Sequence, residues 1–236
     1  MRSSGVSVSG LLGALVLGVV CAGCGGCGRG DDAAAHNVLR LRLKDDVTTL
    51  DPAHIVDVTG GAVAAKIFNG LVRFDERGRI VPDLAERWEV SSDGARYTFY
   101  LRPNARFHNG DPLTADAVRF SFERLLAPAT ISPRAYVLFS VSGARAFHDR
   151  RVAADRLDIQ AIDTTTVEVT LEKRDELFLH CLAMPSCYIV SEKNVAESGG
   201  RLTDRVVGTG PFRLASLQRA NRIELEANRT YFAGAP

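Results

Sequence analysis

Short apolar stretches closed by turn residues recur along this chain, and that punctuation restricts the folds open to it. Ser92-Asp93-Gly94 is a hairpin signal between the 87–90 stretch and a run in which Tyr97, Phe99 and Leu101 alternate with Thr98 and Tyr100. Alternation of this kind marks a strand with one buried face. Asn109-Gly110-Asp111-Pro112 and Gly208-Thr209-Gly210-Pro211 are tight turns of the same character. The strands predicted between such turns are too irregularly spaced for a βαβ alternation. A mixed α/β fold follows, with an irregular sheet order.

Strands are predicted at 38–43, 71–74, 87–90, 157–162, 167–171 and 188–190, with a closing hairpin of 212–217 and 223–227. Thr59 is the expected N-cap of a helix running to Phe68, with Ala64, Ile67, Phe68 and Leu71 on one face. A single helical turn is expected at 82–85 and a short helix at 176–183. The strongest helix follows Thr114: Asp116 suits its positive end, and Val118, Phe122 and Leu125 recur at helical spacing. Residues 127–151 carry no clear period.

The N-terminus has a different character. A basic Met1-Arg2 start precedes an apolar run from Leu11 to Val20, too short to cross a bilayer, and then Cys21-Ala22-Gly23-Cys24. These are the parts of an export signal. Ala22-Gly23-Cys24 resembles the lipobox of bacterial lipoproteins, which implies cleavage before Cys24 and lipid attachment at that residue. Cys27 is the second candidate, and secretion without lipid is the alternative. Residues 1–23 are thus expected to be a lipoprotein signal peptide and 24–36 a flexible, glycine-rich tether. The C-x2-C-x2-C spacing of Cys21, Cys24 and Cys27 also fits an iron–sulfur ligand run. Signal and tether account for all three cysteines without a cluster.

Charge and composition exclude several functions. Lys and Arg number 29 against 28 Asp and Glu, with the signs interspersed, which leaves no electrostatic footprint for nucleic acid. Five histidines show neither an i,i+4 pair nor H-E-x-x-H, so no metal or cofactor is expected. Cys181 and Cys187 are either a disulfide or two buried thiols. Neither a G-x-S-x-G elbow nor a phosphate loop is present: Pro211 follows Gly208-Thr209-Gly210 and no lysine does. No catalysis is expected.

The order of motifs carries more than any one of them. Thr49-Leu50-Asp51-Pro52 is followed by Phe68-Asn69-Gly70-Leu71-Val72, Pro82-Asp83-Leu84-Ala85-Glu86-Arg87-Trp88 and Phe107-His108-Asn109-Gly110. Later come Gly208-Thr209-Gly210-Pro211-Phe212 and Asn228 with Tyr231-Phe232. In this order they resemble the N-terminal half of the family 5, peptide/nickel-type, extracellular solute-binding proteins of ABC transporters. That resemblance implies a periplasmic-binding-protein-like fold of type II, peptide-binding cluster. Residues 37–57 and 161–236 would form the first lobe, and 58–160 the extra small domain. Trp88 is expected as a core anchor.

The same resemblance implies a function. A monomeric protein, lipid-anchored on the outer side of a bacterial membrane, would capture a peptide or similar small solute and deliver it to ABC permease subunits. The loop after the first strand would line the cleft, which nominates Val56, Asp57 and Val58. Tyr136 is nominated by position. The other readings are a helix-preceding turn for Asp57 and ordinary packing for Tyr136. Family members are about twice as long, so a second lobe is expected beyond Pro236 and the chain is expected to be a fragment. One wall alone would leave a peptide solvated, without saturable binding. A structural or sensory lipoprotein that docks through the half-fold is the alternative function.

Overall fold

The computed structural model describes Val38–Leu39 and residues 45–236. The proposed signal, Cys24, Cys27 and the tether lie outside the described residues. In chain order the elements are β1 (Val38–Leu39), α1 (Val58–Ile67), β2 (Val72–Phe74), β3 (Ile80–Pro82), β4 (Ala85–Val90) and β5 (Arg96–Leu101). They continue with α2 (Ala115–Leu126), α3 (Ala144–His148), β6 (Ile159–Ala161), β7 (Thr166–Thr170), α4 (Phe178–Leu182), α5 (Glu192–Glu197), β8 (Phe212–Gln218) and β9 (Arg222–Ala227).

The strands form three antiparallel sheets, ordered β1-β9-β8, β2-β3 and β4-β5-β7-β6. In the four-stranded sheet Tyr97 pairs with Val169 and Phe99 with Val167. The alternation read in the sequence is therefore real: Tyr97, Phe99 and Leu101 are buried, while Thr98 and Tyr100 are only half-buried. That apolar face packs with Val118, Phe122 and Leu125 of α2 and with Leu138 and Phe178 in one core cluster. Thr114 caps α2, accepting from the Ala117 N–H. A second cluster gathers Val63, Ile67 and Phe68 with Leu50, Val190, Val195 and Leu225.

Four expectations need correction. Asp57, not Thr59, caps α1: its carboxylate reaches the Gly60 N–H, and Thr59 already lies within the helix. No helical turn forms at 82–85, because the N–H groups of Asp83, Leu84 and Ala85 donate to the Leu71, Gly70 and Leu71 carbonyls. Those long-range bonds hold the segment extended, and it passes from β3 into β4. Residues 188–190 are extended but join no sheet; Ile189 N–H donates to the Asn69 carbonyl instead. Trp88, on edge strand β4, is half-buried against the first cluster rather than central to it.

Candidate functional site

The motif residues converge on one buried polar junction between the two core clusters. Asn69 sits at its centre, just beyond α1, donating to both Asp83 carboxylate oxygens at 3.0 and 3.1 Å and to the Tyr231 hydroxyl at 3.2 Å. Its own carbonyl oxygen accepts from the Thr209 hydroxyl at 3.0 Å. His108 bridges the same turn from the other side. Its Nε2 donates to the Gly210 carbonyl at 3.0 Å, while Nδ1 accepts the Gly208 N–H at 3.3 Å. Asn228 also donates to the Gly210 carbonyl, at 3.0 Å. Every side chain here is occupied by another part of the chain. These motif side chains are spent on the scaffold.

The junction has a titration signature. Burial pushes the Asp83 carboxyl up to about 6, against the bonds from Asn69. Burial also drives His108 down to about 4, despite its bond to the Gly210 carbonyl, and Arg213 adds to the shift. Geometry gives the reason: a proton on Nδ1 would face the Gly208 N–H. For His108, with a depressed folded value, stability is complete above the ordinary 6.5 and is lost as pH falls toward 4. For Asp83, with a raised value, stability is complete below 3.8 and is lost as pH rises through 6. The two contributions nearly cancel. Asp83→Asn should expose the His108 contribution as an extra loss of about 2 kcal/mol between about pH 6.5 and 4.5. Urea denaturation at the two pH values measures it, and parallel losses in parent and variant would refute the coupling.

A second construction leads to solvent. Asp51, fully buried, takes Arg124 of α2 in a bidentate pair at 2.9 and 2.6 Å, and accepts the Leu202 N–H at 3.1 Å and the Ala53 N–H at 3.2 Å. Burial raises the Asp51 carboxyl, but the Arg124 guanidinium and the Leu202 N–H hold it below the usual carboxylate value. This clamp fixes the 51–54 turn, and two further bonds tie 130–132 to it. Ser132 Oγ donates to the Ala53 carbonyl at 2.5 Å, and His54 Nε2 lies 2.9 Å from the Thr130 carbonyl.

The two loops so joined carry the nominated residues. Val56 is 53% exposed, Val58 89%, Tyr136 53% and Ile131 81%, an unusual concentration of large apolar side chains in solvent. Arg134 ties them together, donating to the Tyr136 hydroxyl at 2.8 Å and to the Val56 carbonyl at 3.2 Å. Val56 and Tyr136, distant in sequence, thus belong to one surface. Asp57 is placed differently: its carboxylate is taken by the Gly60 N–H at 2.6 Å and the Thr48 hydroxyl at 2.7 Å. Those bonds, against a burial that raises it, hold its carboxyl below the usual value. Ile131 and Arg134 were not foreseen, because the 127–151 stretch has no period to read. Ile131 has φ of 52°, a left-handed conformation that is an outlier for a β-branched residue. It also lines a groove of about 720 Å³ with His54, Phe120, Glu123, Val195 and Arg201.

Cys181 and Cys187 are free thiols, the latter buried and pushed upward by that burial. Among the described residues no group of His, Cys, Asp or Glu could hold a metal ion, and no helix is long and apolar enough to cross a membrane.

Residues 79–236 match the model of the middle region of the bacterial extracellular solute-binding proteins, family 5. The chain belongs to this family. It is 30% identical over 201 residues to the dipeptide-binding protein DppE of Bacillus subtilis, covering 84% of this chain and 37% of DppE. Identity to the periplasmic murein peptide-binding protein MppA of Escherichia coli is 33% over 206 residues, covering 86% and 38%. The substrate-binding domain of an oligopeptide ABC transporter from Bacillus anthracis superposes with a TM-score of 0.79 at 32% identity, over 82% of this chain and 38% of that one. The fold is therefore that of the periplasmic peptide-binding proteins. The chain spans about two fifths of the length of the relatives it matches.

Proposed function

We infer that this chain is the ligand-capturing part of an ABC importer's binding component, taking up peptides or a similar small solute without catalysing a reaction. The observation that carries this reading is the clamped surface of Val56, Val58, Ile131, Arg134 and Tyr136. The family's motif residues are consumed in the buried junction, and these side chains are left in solvent with apolar and hydrogen-bonding groups side by side. Such a mixture suits a peptide. Residues 37–57 and 161–236 serve as first lobe and 58–160 as the small domain. Cys24 carries the lipid that holds a monomer on the outer side of the membrane, within reach of permease subunits. Relatives that bind peptides support the solute class.

Uptake of a radiolabelled tripeptide by host cells should fall at least about tenfold when the gene for this chain is deleted. Re-expression with Cys24→Ser should move the protein out of the membrane fraction. Undiminished uptake in the deletion strain would remove the import reading, and unchanged membrane retention would remove the anchor.

A further inference from the structure

The candidate surface carries an arginine, Arg134, that is engaged by neutral groups rather than by an acid. Most of the arginines whose contacts are resolved along the chain sit beside a carboxylate: Arg124 beside Asp51, Arg79 beside Asp75, Arg151 beside Asp149, Arg174 beside Glu176. Arg134 instead donates to two neutral acceptors, the Tyr136 hydroxyl and the Val56 carbonyl, and forms no ion pair among the described residues. The neighbouring acid in the facing loop is Asp57. Its oxygens are turned to the Gly60 N–H and the Thr48 hydroxyl, capping α1.

The backbone that carries the guanidinium is also held in place. Arg134 N–H donates to Ser132 Oγ at 3.1 Å, and Ser132 in turn donates to the Ala53 carbonyl. Strained Ile131 stands beside this anchor, and strain of that kind persists only where surrounding bonds over-determine the backbone. A guanidinium has five N–H donors in a planar fork that matches a carboxylate. With one NH1 and one NH2 donor engaged, three remain. A half-buried, pre-oriented arginine on a surface of valine, isoleucine and tyrosine discriminates by charge, because a carboxylate there forms charge-assisted bonds that a neutral amide cannot equal.

We propose that Arg134 is a specificity residue that receives a carboxylate of the bound peptide, from an acidic side chain or from the C-terminus. This deepens the peptide-capture reading and rests on it.

The test is NMR titration of the uniformly 15N,13C-labelled protein with millimolar tripeptides. Blocked acetyl-Ala-Glu-Ala-amide presents a side-chain carboxylate, and acetyl-Ala-Ala-Ala with a free C-terminus presents a terminal one. Blocked acetyl-Ala-Gln-Ala-amide presents neither. At least one carboxylate peptide should shift the Arg134 Nε–H resonance about tenfold more than the Gln peptide does at the same concentration. Arg134→Gln should erase that preference. Arg134→Lys, which keeps the charge, should retain part of the preference. If all three peptides move Val56, Val58 and the Tyr136 ring alike, and Arg134→Gln changes nothing, the carboxylate assignment is wrong and the peptide surface stands. If none moves any of these residues, both fall.

Discussion

Gly208→Ala is expected to destabilise the protein by more than about 4 kcal/mol, a loss confined to a few mechanisms. Here the mechanism is backbone collision. A Cβ at Gly208 would lie 2.0 Å from the Ile67 carbonyl oxygen, and one at Gly210 would lie 2.5 Å from the Ile67 carbonyl carbon. Both obstacles are main-chain atoms of the last turn of α1, so no side chain can rotate away. The turn must withdraw, breaking the Gly210 N–H bond to the Ile67 carbonyl at 2.8 Å and separating Thr209 from Asn69 and Gly208 from His108. Gly78 is the control. It has φ of 74° but nothing within 4 Å of its would-be Cβ, so Gly78→Ala should cost only the left-handed backbone penalty of about 1–2 kcal/mol. Urea unfolding of the two variants separates collision from conformation. Equal losses at Gly78 and Gly208 would mean that the turn can retreat freely and that the junction does not hold the clusters together.

Breaking the Asp51–Arg124 pair should cost about 3–5 kcal/mol from either side, the usual consequence of stranding one buried charge. Asp51→Ala leaves the guanidinium without its counter-charge, with the Gly200 carbonyl as its remaining partner, and unpairs the Leu202 and Ala53 N–H groups as well. Arg124→Met strands the carboxylate. The double variant Asp51→Ala, Arg124→Met should lose clearly less than the sum of the singles, since it leaves no buried charge. Stability curves for the four proteins close this cycle, and additive losses would show that the two groups do not depend on one another. Acid should act in the same direction. The Asp51 contribution is present above the ordinary carboxylate value and disappears as pH falls through the lower folded one. Because the clamp fixes Ala53 and His54, its loss should also loosen the surface around Val56, visible as faster amide exchange in 55–58 and 130–136 than in β5 and β7.

The sequence and the structure agree most closely where information is local. Thr114, Asp116 and the Val118, Phe122, Leu125 spacing specify α2 because a helix satisfies its backbone within a few residues. Ser92-Asp93-Gly94 and the alternation through Tyr97 and Phe99 specify β4 and β5 for the same reason. The order of short motifs pointed to the family. It did not reveal what the motifs do, because each is half of a contact. Asn69 and Thr209 lie 140 residues apart, as do most partners in the junction on a comparable scale.

Errors arose where distant backbone decided the outcome. The segment after Pro82 reads as a helical turn until the Gly70 and Leu71 carbonyls take its N–H groups. The cap of α1 is a local ambiguity of another kind: Asp57 and Thr59 both have capping side chains, and it is the Asp57 carboxylate that the Gly60 N–H reaches. The candidate surface was partly legible: Val56, Val58 and Tyr136 could be named, but Arg134 and Ile131 could not. By itself the sequence determined most of the element types, because each depends on neighbouring residues and their spacing. Tertiary structure alone decided which polar groups are spent inside the molecule and which remain in solvent. That division depends on partners brought together across the chain, and no local pattern records it.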